Sequence, residues 1–233
     1  MLLLCDFLKN TLHLFYPHNC TGCGNDLLPE KEMLCLSCLS ALPYTKFEKF
    51  TGNPVEKIFY GRLAILAAHS EFYFSKGQLI QHLLHQLKYN NNKNIGRYLG
   101  KILGNHLLES GRFLRPDYLV PLAMSAKKEF KRGYNQATII CEGIAEVLHT
   151  PLLSSNIVRT RTPETQTKKH RAERWENVEG SFAVTNSTQL EGKHILLVDD
   201  VLTTGATLEA CCNSLKAIPG ISISIATLAF ASK

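Results

Sequence analysis

The stretch Ile195-Leu196-Leu197-Val198-Asp199-Asp200-Val201-Leu202-Thr203-Thr204-Gly205-Ala206-Thr207 sets an aliphatic run, two adjacent carboxylates and a Thr/Gly loop in a row. A short run of this kind reads as a fully buried strand, and the residues from Ala206 to Ala217 read as the helix that follows. The loop then lies at a strand-to-helix crossing, where the first backbone amides of the helix lack partners of their own. Gly205 lets the chain approach a ligand closely, and the hydroxyls of Thr203, Thr204 and Thr207 add donors, so the loop suits a phosphate. Asp199 and Asp200 are the opposite kind of group. Ionised carboxylates accept hydrogen bonds and donate none, which suits a pair of sugar hydroxyls or a bound cation. A 5-phosphoribosyl group presents both chemistries side by side. An ordinary capped helix accounts for Thr204 alone. No Gly-Lys-Ser/Thr follows the glycine and no Gly-x-Gly-x-x-Gly is present, which excludes a Walker loop and a dinucleotide fingerprint.

At 233 residues, 45% hydrophobic and 20% charged, the chain has the composition of a soluble globular protein with one substantial core and a small appendage. The first residues, Met1 to Tyr16, are leucine-rich but carry Asp6 and Lys9 and lack a signal-type cleavage site. Leu4, Phe7, Leu8, Leu12 and Phe15 fall at helical spacing, so a docked amphipathic helix is expected there, with no transmembrane segment and a cytoplasmic location. The net charge of +6 is local: segments 127–132 and 159–174 hold ten of the 26 basic residues against three of the 20 acidic ones. Two such segments in a chain with a phosphate loop are read as anion contacts.

Cys20-Thr-Gly-Cys23 and Cys35-Leu-Ser-Cys38 form two Cys-x-x-Cys knuckles. Four thiolates delivered by two tight turns match a closed, structural tetrahedral zinc site, with Cys20, Cys23, Cys35 and Cys38 as ligands. The competing disulfide reading requires strained bridges and an oxidising compartment. Cys141 and at least one of Cys211 and Cys212 are read as small apolar core residues, and His82 and His85 as surface or partly packed residues without a third metal ligand.

The remaining pattern alternates strands and helices. Residues 46 to 56 read as a linker or loop and 58 to 74 as strand, followed by helices over 78–89 and 95–108. Strand 118–122 leads through a basic loop into a helix over 135–149; strand 194–199, helix 206–217 and strand 221–229 complete the chain. The expected fold is α/β, a mostly parallel sheet covered by helices on both faces, with residues 1–45 as N-terminal helix and zinc ribbon and 46–233 as the main domain. Ligands of such sheets bind outside the carboxyl ends of the strands.

The stretch at 195–207 resembles the signature of type I phosphoribosyltransferases, where two acidic residues hold the ribose 2- and 3-hydroxyls of phosphoribosyl diphosphate and a Thr-Thr-Gly-x-Thr loop wraps the 5-phosphate. The order of features further resembles the ComF family, phosphoribosyltransferase-like proteins associated with DNA uptake. It rests on the paired knuckles, Leu87-Lys88-Tyr89, Val120-Pro121-Leu122 followed by Lys131-Arg132-Gly133-Tyr134-Asn135-Gln136-Ala137, and Arg159-x-Arg161 with Gln166, Arg174, Asn177 and Phe182. Trp175 departs from the small or apolar residue common beside Arg174 in that family.

The resemblance implies a type I phosphoribosyltransferase fold, with Asp199 and Asp200 at the sugar and Thr203, Thr204, Gly205, Ala206 and Thr207 at its phosphate. Lys128 and Arg132, in the loop from Met124 to Gly133, are then candidates for the leaving diphosphate, with magnesium bridging its oxygens. Residues 162 to 175 resemble a mobile hood, in which Lys168, Lys169, Arg171 and Arg174 bring charge over the ligand; Asp199, Asp200, Arg132 and Arg174 are the candidate catalytic residues. The implied function is binding of phosphoribosyl diphosphate with magnesium in DNA uptake, with single-stranded DNA and competence proteins as partners. The alternative is an active transferase using a nucleobase or amine acceptor. Phe72, Tyr73, Phe74, Tyr134 and Trp175 are candidates for base stacking, though aromatics in strands more often pack in the core.

Overall fold

The computed structural model describes residues 19–26, 28, 32–113, 115–160 and 181–231. The aliphatic run becomes β5 (His194–Leu202), and it pairs with β6 (Ser222–Phe230) on one side and β2 (Tyr118–Pro121) on the other. With β1 (Ala67–Tyr73) these strands form a four-stranded, all-parallel sheet in the order β1-β6-β5-β2. Alternation along β5 sends Ile195 and Leu197 into one apolar cluster and Leu196 and Val198 into another, so both faces are covered, as a parallel sheet requires. A separate antiparallel pair joins β3 (Ile157–Arg159) to β4 (Phe182–Val184).

One face carries α3 (Leu79–Tyr89), α4 (Lys93–Ser110) and α6 (Gln136–Leu148). α4 and α6 touch backbone to backbone, because a Cβ on Gly100 would lie 2.3 Å from the Ile140 carbonyl oxygen and one on Gly143 2.1 Å from that of Arg97. Cys20, Leu28, Leu34, Cys38 and Leu42 join this same core, bringing the knuckles and the short α1 (Leu36–Ser40) onto the face that holds α3. The other face carries α2 (Pro54–Phe59) and α7 (Ala206–Leu215).

Three expectations change. Of residues 46–56, read as a linker or loop, those up to Asn53 form a packed loop with a 3-10 turn over Phe47–Lys49 and the last three open α2: Asn53 is fully buried, caps α2 by accepting from the amides of Val55 and Glu56, and donates to the carbonyls of Phe47 and Ala68. The asparagine-proline pair is a helix start, with Pro54 at the position where a missing N–H costs nothing. Strand character consequently begins only at Ala67, since Ile58 and Phe59 end α2. The basic segment after β2 is likewise a helix, α5 (Ala126–Arg132), closed by Gly133 at φ +82°. No helix among the described residues is long and apolar enough to cross a membrane.

Candidate functional site

β2 ends at Pro121, opposite Val198, and the last bond between the two chains runs from the Leu122 amide to the Val198 carbonyl at 2.8 Å. Beyond that point β5 continues without its neighbour. Asp199 and Asp200 occupy this overhang and line a cavity of about 680 Å³. They lie inside the strand, which runs three residues past the expected end at 199.

Another wall comes from the turn into α6. Asn135 caps that helix by accepting from the Ala137 amide, and its own amide donates to the Leu122 carbonyl at 2.9 Å, tying the helix start to the end of β2. Gln136 follows, lines the cavity, is 2% exposed, and its side-chain nitrogen has no partner among the described residues. A buried amide donor left unmade is costly, and here it faces a space a ligand can fill. Lys128, Lys131 and Arg132 of α5 add positive charge to the same wall, and the Arg132 guanidinium lies over the Tyr89 ring at 5.6 Å.

Electrostatics on the acidic side are strained. Burial first, and Asp200 second, push the Asp199 carboxyl up to about 8 from its ordinary value of 3.8. The Asp200 amide, which donates to Asp199 Oδ1 at 2.8 Å, together with Lys88 and Arg159, pulls the other way without cancelling this. Lys88, in the last turn of α3, holds Asp200 Oδ2 at 2.7 Å. Burial lowers the Arg159 guanidinium from its ordinary range while Asp199 raises it, consistent with a cation drawn in beside an acid.

Of the residues picked out from the sequence, Asp199, Asp200, Lys128, Arg132 and Thr207 line one cavity. Thr203 and Thr204 are exposed in the preceding turn, where Thr204 Oγ1 accepts weakly from the Ala206 amide at 3.5 Å. Gly205 at φ +78° has a second reason to be glycine, because an added Cβ would lie 2.8 Å from Ile58 and 2.9 Å from Phe59 of α2. Arg174, Lys168, Lys169, Arg171 and Trp175 lie outside the described residues, and with them the expected hood. Arg159, from a segment read as anion contacts, lines the cavity too, as do Lys88 and Gln136, which stood in the motifs of the resemblance without a role of their own. Gln136 carried a local signal as a polar residue opening a largely apolar helix, and Arg159 one as part of a basic segment. Of the candidate stacking aromatics, Phe72 is fully buried and Tyr134 is 7% exposed with its hydroxyl donating to the Leu87 carbonyl, so both are held by the core.

The second constellation is the four cysteines, whose sulfurs all lie within 4.8 Å of one another. Cys23 Sγ and Cys35 Sγ are 3.7 Å apart, the separation of two vertices of a tetrahedron with metal–sulfur bonds of about 2.3 Å. Burial opposes the Cys20 thiolate, but amides of Cys35, Cys23 and Gly22 outweigh it and bring the group down to about 6, while burial and its neighbours push Cys38 up. Cys20 is thus favoured as a thiolate, the form in which cysteine binds a metal. Cys141, Cys211 and Cys212 are buried apolar fillers, as expected.

Comparison with known proteins agrees with this geometry. Residues 85–233 match the model of the phosphoribosyl transferase domain. The DNA utilization protein YhgH of Escherichia coli (strain K12) is 30% identical over 129 residues, 54% of this chain and 56% of that protein. The chain therefore spans little more than half of that relative. Competence protein F of Haemophilus influenzae is 24% identical over 205 residues, covering 83% and 89% of the two chains, and competence protein ComFC of Bacillus subtilis (strain 168) is 38% identical over 90 residues, covering 39% and 34%. With its parallel sheet and four-cysteine cluster, the chain belongs to the phosphoribosyl transferase domain family, as a member of the ComF type with the type I phosphoribosyltransferase fold.

Proposed function

We propose that this chain binds phosphoribosyl diphosphate with magnesium and acts in DNA uptake. One observation carries the reading: the acidic pair Asp199 and Asp200 and the basic residues Lys128 and Arg132 line a single cavity. The carboxylates accept the ribose hydroxyls, Thr203 to Thr207 hold the 5-phosphate, and Lys128 and Arg132 meet the diphosphate. Magnesium, when bound with the ligand, neutralises charge on the diphosphate oxygens. The part in DNA uptake rests on likeness to the competence proteins.

Calorimetry with phosphoribosyl diphosphate and magnesium tests the reading. Wild type binds, and Asp200→Asn weakens binding by about tenfold or more, the scale of a lost hydrogen bond to a charged acceptor. No heat with wild type ends the proposal. Release of diphosphate on adding a nucleobase or an amine would establish the active transferase instead.

A specific observation favours single-stranded DNA as a partner. Phe130 is 93% exposed on α5 among Lys127, Lys128, Lys131 and Arg132, and Tyr89, 67% exposed, lies beside Arg132. Exposed aromatics between cations give bases a stacking surface and phosphates a counter-charge. Strand affinity should fall steeply with salt and drop on Phe130→Ala. We also propose zinc at Cys20, Cys23, Cys35 and Cys38, residues 1–45 and 46–233 as the two units, and a cytoplasmic location, where a reducing medium keeps such thiolates available. Elemental analysis of the purified protein should return one zinc per chain, lost in Cys38→Ser.

A further inference from the structure

Lys88 and Arg159 are the two cations of the cavity whose charge acts on Asp199, and Lys88 is ion-paired with Asp200. Lys128, Lys131 and Arg132 belong to α5, a helix none of whose residues is buried, whereas Lys88 lies 2.7 Å from Asp200 Oδ2. Its side chain is 24% exposed and that of Asp200 16%, so the pair is enclosed and only lightly screened. Its position is built rather than incidental. Leu87 is fully buried and its carbonyl accepts from the Tyr134 hydroxyl, which pins the last turn of α3 to the start of α6. At the other end of α3, Leu79 packs beside Gly22 and Cys38, and the His82 ring bonds the Thr21 carbonyl at 3.0 Å. The helix is thus fixed on the four-cysteine unit at one end and delivers Lys88 to the acidic pair at the other.

An ammonium has three donors, and Asp200 takes one. The chemistry of a ribose decides where the others go. With the 2-hydroxyl on Asp200, the carbon that bears it is bonded to C1, and Lys88 then lies within reach of whatever C1 carries. We infer that Lys88 is a specificity-determining residue of the pocket, bridging Asp200 and the anionic group on C1 of a phosphoribosyl ligand, so that the site distinguishes a sugar with a C1 diphosphate from one without. This rests on the phosphoribosyl reading above. It assigns the two sets of cations different tasks: those of α5 meet the outer charge of the diphosphate, while Lys88 holds its sugar-proximal end against the diol site.

The test compares two compounds on three proteins: phosphoribosyl diphosphate with magnesium and ribose 5-phosphate, each titrated calorimetrically into wild type, Lys88→Met and Lys88→Arg. Lys88→Met should lose about tenfold or more in affinity for the diphosphate while ribose 5-phosphate changes by less than about threefold, the signature of a charge-assisted contact made to one ligand only. Lys88→Arg, which keeps the charge, should recover most of the preference. Equal losses for both compounds would mean a general electrostatic or structural effect and would overturn the inference, as would no loss for either. If Lys88→Met does not fold, Lys88→Gln carries the same comparison. Wild type that binds neither compound defeats the phosphoribosyl reading itself, a result distinct from wild type that binds both and a Lys88 variant that fails to discriminate.

Discussion

Glu71 on β1 and Asp199 on β5 are carboxylates carried inward by strands of the same sheet, yet their acidities move in opposite directions. Burial raises both. At Glu71 the rise is reversed, because His106 Nδ1 lies 2.6 Å from one oxygen and His69 Nε2 2.9 Å from the other, and the group ends below its ordinary value. At Asp199 the neighbour in sequence is another acid, so burial and repulsion add and the two cations nearby do not offset them. The difference separates two uses of a buried charge. A carboxylate whose lone pairs are filled by the protein holds elements together, here β1 to α4. One forced against its own kind and left facing a cavity is prepared for donors that arrive from outside.

Removing the filled site should have the larger effect on stability. Glu71→Ala leaves two imidazoles without their shared acceptor, one of them on the fully buried His69. Breaking a buried pair by deleting one partner costs about 3–5 kcal/mol, measurable as a lowered denaturant midpoint. Because neither Glu71 nor either histidine lines the cavity, ligand affinity of the folded fraction should stay unchanged. A variant that loses binding without losing stability would reverse the assignment of the two sites.

The asymmetry also explains what could be read from the sequence. The β5 run, the helices of the parallel sheet and the two knuckles were legible, because each is written in consecutive residues whose period or spacing allows few alternatives. The charged pairs were not. Lys88 is a lysine in the last turn of an amphipathic helix, where it reads as a favourable dipole partner, and only the docking of α3 places it on Asp200. Glu71 and His106 are 35 residues apart, and nothing in the strand Ala67–Tyr73 announces that Glu71, already paired with His69, finds a second donor in α4. Other misses were avoidable. Ser125 before Ala126 and Gly133 after Arg132 are ordinary helix boundaries, so α5 was present in the text that was read as a basic loop.

The poised site should respond to neutralisation in the opposite sense to Glu71. The folded-state value of Asp199, raised to about 8 from 3.8, means that the folded protein binds this proton more tightly than the unfolded chain does. Its contribution is therefore most favourable below pH 3.8 and is lost as pH rises through about 8. Asp199→Asn, which mimics the protonated acid, should leave stability near wild type at pH 4 and raise it by about 1–2 kcal/mol at pH 8, while weakening the proposed ligand. Denaturation curves at the two pH values read the first effect and calorimetry the second. A variant destabilised at pH 8 would show that the pair is structural after all.

The smallest effect falls on His106, the solvent-facing member of the Glu71 cluster. Its hydrogen bond to Glu71 chiefly raises the imidazole above its ordinary 6.5, against the opposing effect of burial. The folded protein thus favours the charged ring, and that stability is full below pH 6.5 and fades as pH rises through the raised value. Glu71 works from the other side: its lowered value gives stability above 4.5 that is lost as pH falls through the folded-state value. Together they favour a window between the two. Since 34% of the His106 side chain is open to water, the gain is screened, and His106→Gln should cost under about 1 kcal/mol at pH 6 and less at pH 9. Asp199 also removes stability with rising pH, but from about pH 4 upward, so the two are separable. In an Asp199→Asn background the remaining decline should start only above pH 6.5, and adding His106→Gln should flatten it. A decline that survives both substitutions would place the titrating group elsewhere and dissolve the contrast between the two carboxylates.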